Sequence, residues 1–213
     1  LGVVQAMFTA ANYAGFDVED ATAAVEGFGN VGSYLTEYLT QIGVKVVAVS
    51  DSKGCIYNTE GLESEKLSKV KKETRSVINY KSGKVLDNKE IFKLPVDILI
   101  PAALSDVITK GNVDRVKAKM IVEAANIPVR PEIEEVLRKR GVLVVPDIVA
   151  NAGGVISSYA EYRGYNPKRM LKLVQRKIQR NSKTVLEYAK EKDMSLRDAA
   201  LNIAKERIRR ARS

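Results

Sequence analysis

Five short apolar runs, separated by stretches of helical pattern, constrain this chain more than any other feature. The runs are Thr22–Glu26, Lys45–Ser50, Val96–Pro101, Met120–Ala124 and Val142–Pro146, with helical periodicity over Val31–Ile42 and Pro131–Arg140. Strands separated by helices of this length need crossover connections, so they form a mainly parallel sheet covered on both faces. Val46-Val47-Ala48-Val49 and Ile98-Leu99-Ile100 are unbroken apolar stretches, as strands buried on two faces require. The expected fold class is α/β, a doubly wound, mainly parallel sheet. Between Gly54 and Lys93 the pattern loosens. Lys66–Arg75 reads as a helix, Ile56–Tyr57 and Val77–Tyr80 as short strands, and this insert is assigned no chemistry.

The first run leads directly into Gly27-Phe28-Gly29-Asn30-Val31-Gly32, and the motif then opens an amphipathic helix. In a dinucleotide-binding, Rossmann-type fold the first glycine makes the tight turn, the second lets backbone approach a pyrophosphate, and the third lets helix and strand pack closely. The diphosphate then rests on free N–H groups at the positive end of the helix. The second strand ends at Asp51, 19 residues beyond Gly32, where a carboxylate can accept hydrogen bonds from an adenosine ribose. Asp51 argues for NAD, because a 2′-phosphate would meet like charge there. Lys53 and the hydroxyls of Ser50 and Ser52 leave NADP or dual use open. A methyltransferase loop is disfavoured, since its usual acid lies two residues before the first glycine and Ala24 stands there, with Glu26 abutting Gly27. Three further segments fall at strand ends, where open α/β sheets bind ligands: Pro101-Ala102-Ala103, Glu123 to Asn126, and Pro146 to Val155. Small residues there admit a nicotinamide ring, and Asn126 and Asn151 can bond ribose or carboxamide.

Composition narrows the chemistry. With no His and one Cys, no histidine triad, zincin motif or Cys/His zinc site can be built, and no internal disulfide can form. A reducing compartment follows as the expectation. No stretch of 18 apolar residues and no basic leader occurs, so neither a membrane span nor a signal peptide is read and a cytoplasmic location is expected. The opening Leu1-Gly2-Val3-Val4-Gln5-Ala6-Met7 reads as the inside of an apolar helix, hence as part of something longer.

The net charge of +9 is unevenly placed. Residues 1–162 hold 19 basic and 21 acidic side chains, whereas residues 163–213 hold 16 and 5. That last quarter is helical, with Leu171, Val174, Ile178, Val185 and Ala189 along one face and basic residues on the rest. A second helix follows the capping-box spacing of Ser195 and Asp198. A nucleic-acid-binding module is the rival reading of this surface. Without aromatic residues between the cations to stack on bases, a solvated or domain-packing helix face is preferred. The organisation expected is a dinucleotide-binding domain over residues 1–165 and a helical hinge or packing segment over residues 166–213.

Taken together, Gly27 to Gly32, Ser50-Asp51-Ser52, Asp97 to Ala103 and the run Pro146 to Glu161 closely resemble the cofactor-binding domain of glutamate dehydrogenase, in the Glu/Leu/Phe/Val dehydrogenase family. The resemblance runs from Leu1 to near the C-terminus. It implies oxidative deamination of L-glutamate to 2-oxoglutarate and ammonia with hydride passed to NAD or NADP. It further implies that Gly27, Phe28, Gly29, Asn30, Val31, Gly32, Asp51 and Ser52 hold the dinucleotide, and that Ala102, Ala103, Asn126 and Asn151 line its nicotinamide half. Gly154, Val155 and Ser158 match substrate-contacting positions, Ser158 bonding the side-chain carboxylate. Hexameric assembly is implied for the full-length family.

Two departures qualify the resemblance. The family usually reads Glu-Gly-Ala-Asn-Gly-Pro-Thr-Thr-Pro where this chain has Glu123-Ala124-Ala125-Asn126-Ile127-Pro128-Val129-Arg130-Pro131. The family's catalytic lysines and aspartate belong to an N-terminal substrate domain with no counterpart in these 213 residues. No catalytic residue and no metal ligand is therefore assigned, and the chain alone is expected to bind cofactor without turning over glutamate. A branched-chain or aromatic amino-acid dehydrogenase of similar build is the rival within enzymes.

Overall fold

Residues 1–212 are described by a computed structural model. They form a seven-stranded sheet in the order β4-β3-β2-β1-β5-β6-β7. The strands are β1 (Thr22–Glu26), β2 (Lys45–Asp51), β3 (Gly54–Tyr57), β4 (Lys84–Leu86), β5 (Ile98–Pro101), β6 (Met120–Val122) and β7 (Leu143–Val145). β2, β1, β5, β6 and β7 run parallel, as the unbroken apolar runs predict. β3 and β4 add an antiparallel edge.

Alternate strand residues enter two cores, one on each face of the sheet. Ala23, Val25, Ile98, Ile100, Met120 and Val122 share the first with Val4, Met7, Leu35, Leu39, Val174 and Ile178. These last residues come from α1 (Gly2–Ala14), α2 (Asn30–Gln41) and α7 (Pro167–Lys192). Ala24, Leu99 and Ile121 face the second core, with Ile133 and Leu137 of α4 (Pro131–Lys139). A third, smaller cluster joins Val149 to Val185, Ala189, Ala199 and Ala200. It ties α5 (Asp147–Ala150) to α7 and α8 (Leu196–Arg212). α7 also lies against α1, where Gln179 donates to Gln5 at 2.7 Å. At the head of α8, the Asp198 amide donates to Ser195 Oγ at 3.0 Å, the cap that the sequence spacing predicts.

The insert departs from expectation in two places. Val77–Tyr80, predicted as a strand, begins with a 3₁₀ turn over Val77–Asn79. Ser76 accepts the Ile78 amide and Asp51 accepts that of Val77, so these donors are used in a turn and not in a ladder. The partner of β3 is β4, whose Lys84 and Val85 are exposed. The predicted helix is α3 (Ser64–Thr74).

Candidate dinucleotide-binding site

From β1 the chain turns to one side of the sheet through α2 and β2, and β5 then returns on the other side of β1. The reversal leaves a crevice at the carboxyl ends of β1 and β5, the place where open α/β sheets take ligands. A cleft of 940 Å³ opens there, walled by Gly27, Phe28, Gly29, Asp51, Ser52 and Ala103 among others. Six of the residues expected to hold a dinucleotide thus line one cleft.

Each glycine of the motif has a separate geometric reason. Gly27 has φ 94°, and a Cβ there would stand 2.6 Å from Ala103 Cβ, so the turn needs glycine on two counts. At Gly32 a Cβ would lie 1.8 Å from the Gly27 carbonyl oxygen, which is the close approach of helix and strand. Gly29 is the opposite case, because a Cβ there would meet no protein atom within 4 Å. The first helical bond of α2 runs from the Ser33 amide to the Gly29 carbonyl. The amides of Asn30, Val31 and Gly32 therefore have no intrahelical acceptor. Bare backbone and unpaired N–H groups beside open space fit the diphosphate of a dinucleotide.

The floor of the cleft is held from both neighbouring strands. The Gly27 amide donates to Ser50 Oγ at 3.3 Å, and the Ala103 amide to Glu26 Oε2 at 3.2 Å. Burial raises the Glu26 carboxyl above the ordinary glutamate value, against the backbone donors Ala103 and Ala102. Glu26 is a member of the site that the sequence marked only by its adjacency to Gly27.

Asp51 stands at the end of β2 as predicted, but its carboxylate is already occupied. Oδ2 accepts from Lys71 Nζ at 2.7 Å and the Val77 amide at 2.9 Å; Oδ1 accepts from the Lys53 amide at 2.8 Å and Ser76 Oγ at 3.2 Å. Although burial opposes ionisation, these donors and the Lys71 charge hold the carboxyl below the usual aspartate value. Lys71 belongs to α3, so the insert that was assigned no chemistry supplies part of the cleft. Asn88, Lys89 and Phe92 add to the same wall. No motif or period marks these residues, since only the folded chain brings Lys71 of α3 to the end of β2.

Of the expected nicotinamide-side residues, Ala103 lines the cleft, whereas Ala102, Asn126 and Asn151, which follow β5, β6 and α5, lie outside its lining. The Ala102 amide bonds the Glu26 carbonyl, and the Ala124 and Ala125 amides both bond the Pro101 carbonyl. Asn151 Nδ2 donates to Asn126 Oδ1 at 2.8 Å, so the two asparagines form a pair. Below them lies a group missed by sequence reasoning. Arg197 of α8 bonds Glu134 at 2.7 Å, Asp147 at 2.8 Å and Glu123 at 2.7 Å. Burial first, and then the Glu134 charge, push the Glu123 carboxyl up to about 9.

Gly154, Val155 and Ser158 lie together on α6 (Gly153–Tyr162) and are all exposed. None of them lines the 940 Å³ cleft. Their helix is placed by a glycine contact, because a Cβ on Gly153 would come within 3.2 Å of Gly2 Cα in α1.

This architecture has known counterparts. The chain is 48% identical over 204 residues to glutamate dehydrogenase from Aeropyrum pernix, covering 91% of this chain and 49% of that one. It is 38% identical over 219 residues to NADP-specific glutamate dehydrogenase from Saccharolobus shibatae, covering 99% and 52% respectively. Hetero-hexameric glutamate dehydrogenase from Thermus thermophilus, in its leucine-bound form, superposes with a TM-score of 0.89 at 29% identity, over 97% of this chain and 50% of that chain. The chain thus spans about half the length of the curated relatives it matches. A model of the Glutamate/Leucine/Phenylalanine/Valine dehydrogenase family matches residues 1–213. The chain belongs to that family.

Proposed function

We propose that this chain is the cofactor-binding half of a glutamate dehydrogenase that uses NAD or NADP. The observation that carries the reading is the Gly27–Gly32 turn, with two glycines forced by close approach and the third opening bare backbone to the cleft. The identity to glutamate dehydrogenases supports the substrate assignment. In this reading Gly27 to Gly32 and the first turn of α2 hold the diphosphate, Asp51 and Ser52 border the adenosine ribose, and Ala102, Ala103, Asn126 and Asn151 receive the nicotinamide half. When bound, nicotinamide supplies the hydride acceptor for oxidation of glutamate to 2-oxoglutarate and ammonia. Gly154, Val155 and Ser158 present the exposed face of α6 to the substrate, with Ser158 Oγ donating to its side-chain carboxylate. The remaining half of the protein closes over this face, excludes water and brings the lysines and aspartate that move protons. The chain alone is inactive, and the complete protein assembles as a hexamer.

The occupied Asp51 carboxylate bears on the choice of cofactor. Lys71 sits against it, so the like charge that a 2′-phosphate would meet is largely offset, and both cofactors bind. Calorimetric titration of the chain with NADH and NADPH tests this, repeated with Asp51→Ala. The expected result is saturable binding of both, with the ratio moving toward NADPH in the variant as Lys71 is freed. Binding of neither cofactor overturns the nucleotide reading. NADH binding alone, unchanged by the substitution, overturns the dual use.

A further inference from the structure

We propose that Arg197, in α8, is a positioning residue for the nicotinamide side of the dinucleotide site: through Asp147 it helps hold the Asn126–Ile127 turn that sets Asn126 against Asn151. This rests on the dinucleotide reading above. Arg197 is 8% exposed and lies 50 residues or more along the chain from each of its three carboxylates. Two of those carboxylates sit on the segments that lead to the asparagines. Glu123 follows β6 and Asp147 opens α5.

Asp147 is the pivot. Its Oδ1 accepts from Arg197 Nη1 and the Ile148 amide, both at 2.8 Å, and its Oδ2 accepts from the Ile127 amide at 2.8 Å. Its own amide donates to Glu123 Oε2 at 2.9 Å. Ile127 has φ 46°, a left-handed conformation that a β-branched residue keeps only where its surroundings impose it. The Ile127 amide donates to Asp147 on one side, and the Ile127 carbonyl accepts from the Asp106 amide at 3.0 Å on the other. Asn126 precedes Ile127, and the Asn151 amide is fixed by the Asp147 carbonyl at 2.9 Å. Asp147 is thus tied to the backbone at both asparagines, and Arg197 orients the carboxylate that holds the Ile127 side.

A buried guanidinium facing three carboxylates is no stronger a fastener than apolar packing of the same volume. α8 already has that packing through Ala199 and Ala200. What the guanidinium adds is direction, since its planar fork fixes the angle of each carboxylate it meets.

The test compares NADH with ADP, which lacks both the nicotinamide ring and its ribose, by calorimetry on the chain and its variants. Arg197→Met is expected to weaken NADH binding about tenfold or more and to leave ADP within about twofold. Adding Ile127→Gly, which removes the cost of the positive φ, restores most of the NADH affinity. Arg197→Lys, which keeps the charge without the fork, falls between. If circular dichroism shows Arg197→Met unfolded, Asp147→Asn carries the same comparison. Equal weakening of both ligands, or no weakening, overturns the proposal. So does a wild-type chain that binds the two ligands equally, because the turn then contributes nothing. A wild-type chain that binds neither ligand overturns the dinucleotide reading instead, which is a distinguishable failure.

Discussion

A single methyl group separates the roles of two glycines in the same turn. At Gly32 it would sit 1.8 Å from a backbone oxygen, so Gly32→Ala must push α2 off β1. A loss of about 3 kcal/mol is expected, at the upper end for overpacking because backbone and not a flexible side chain must yield. At Gly29 the methyl meets no protein atom and φ is −89°, within reach of alanine. Gly29→Ala should keep stability within about 0.5 kcal/mol of wild type while weakening dinucleotide binding, because the methyl fills the space where backbone and diphosphate meet. Thermal unfolding and NADH titration of the two variants check both halves; a Gly29→Ala chain that binds NADH as wild type does would remove the diphosphate from this place. The glycines were legible in sequence because a backbone requirement is written in residue type. The state of Asp51 was not, because its donors Lys71, Ser76 and Val77 stand 20 to 26 residues away. No local pattern says which side chain of an irregular insert reaches back to a strand end.

At the scale of elements, the Arg197 cluster joins α8, α4, α5 and the end of β6 with one cation among three acidic side chains. Glu123 titrates near 4.5 as an ordinary glutamate and at about 9 in the folded protein. Between these values the native state keeps a proton that the unfolded state has lost, so stability falls as pH rises across that window. Glu134 and Glu26 are shifted in the same direction. Asp51 and Asp97 are shifted downward from 3.8, so their stabilisation is intact above that value and is lost only in stronger acid. Urea unfolding at pH 5, 7 and 9 should show the decline, and Glu123→Gln, which cannot ionise, should flatten it; parallel slopes would refute the assignment to Glu123. The elements themselves were read with uneven success for physical reasons. β2 and β5 are buried on both faces and announce themselves as apolar runs. β4 lies at the sheet edge with Lys84 and Val85 exposed, so burial left no imprint on its sequence. The Arg197 cluster was invisible for a third reason: an arginine at the start of a basic helix looks like its solvated neighbours until the fold closes over it.

Across the molecule, α6 and the start of α7 turn large apolar side chains outward. On α6, Val155 is 77% and Tyr162 87% exposed, with Tyr159 at 48%, and on α7 Leu171 is 49% exposed. Apolar side chains gathered in this way mark a surface that contacts another protein unit. It lies on the helix that carries Gly154 and Ser158, where the proposed closure of the remaining half would cover it. The excess of basic residues over 163–213 begins beside the same surface, and like charge opposes the meeting of two copies. Salt weakens that repulsion and leaves apolar contact intact. The chain by itself should therefore self-associate with rising concentration, and more strongly at high salt than at low. Tyr162→Glu combined with Val155→Glu should suppress the association without lowering the unfolding temperature, since both side chains are largely solvated. Sedimentation velocity over a hundredfold range of concentration, at two ionic strengths, decides the matter. Association that weakens with salt would assign it to the charges instead of the apolar face, and a monomer at every concentration would mean that this face needs no partner.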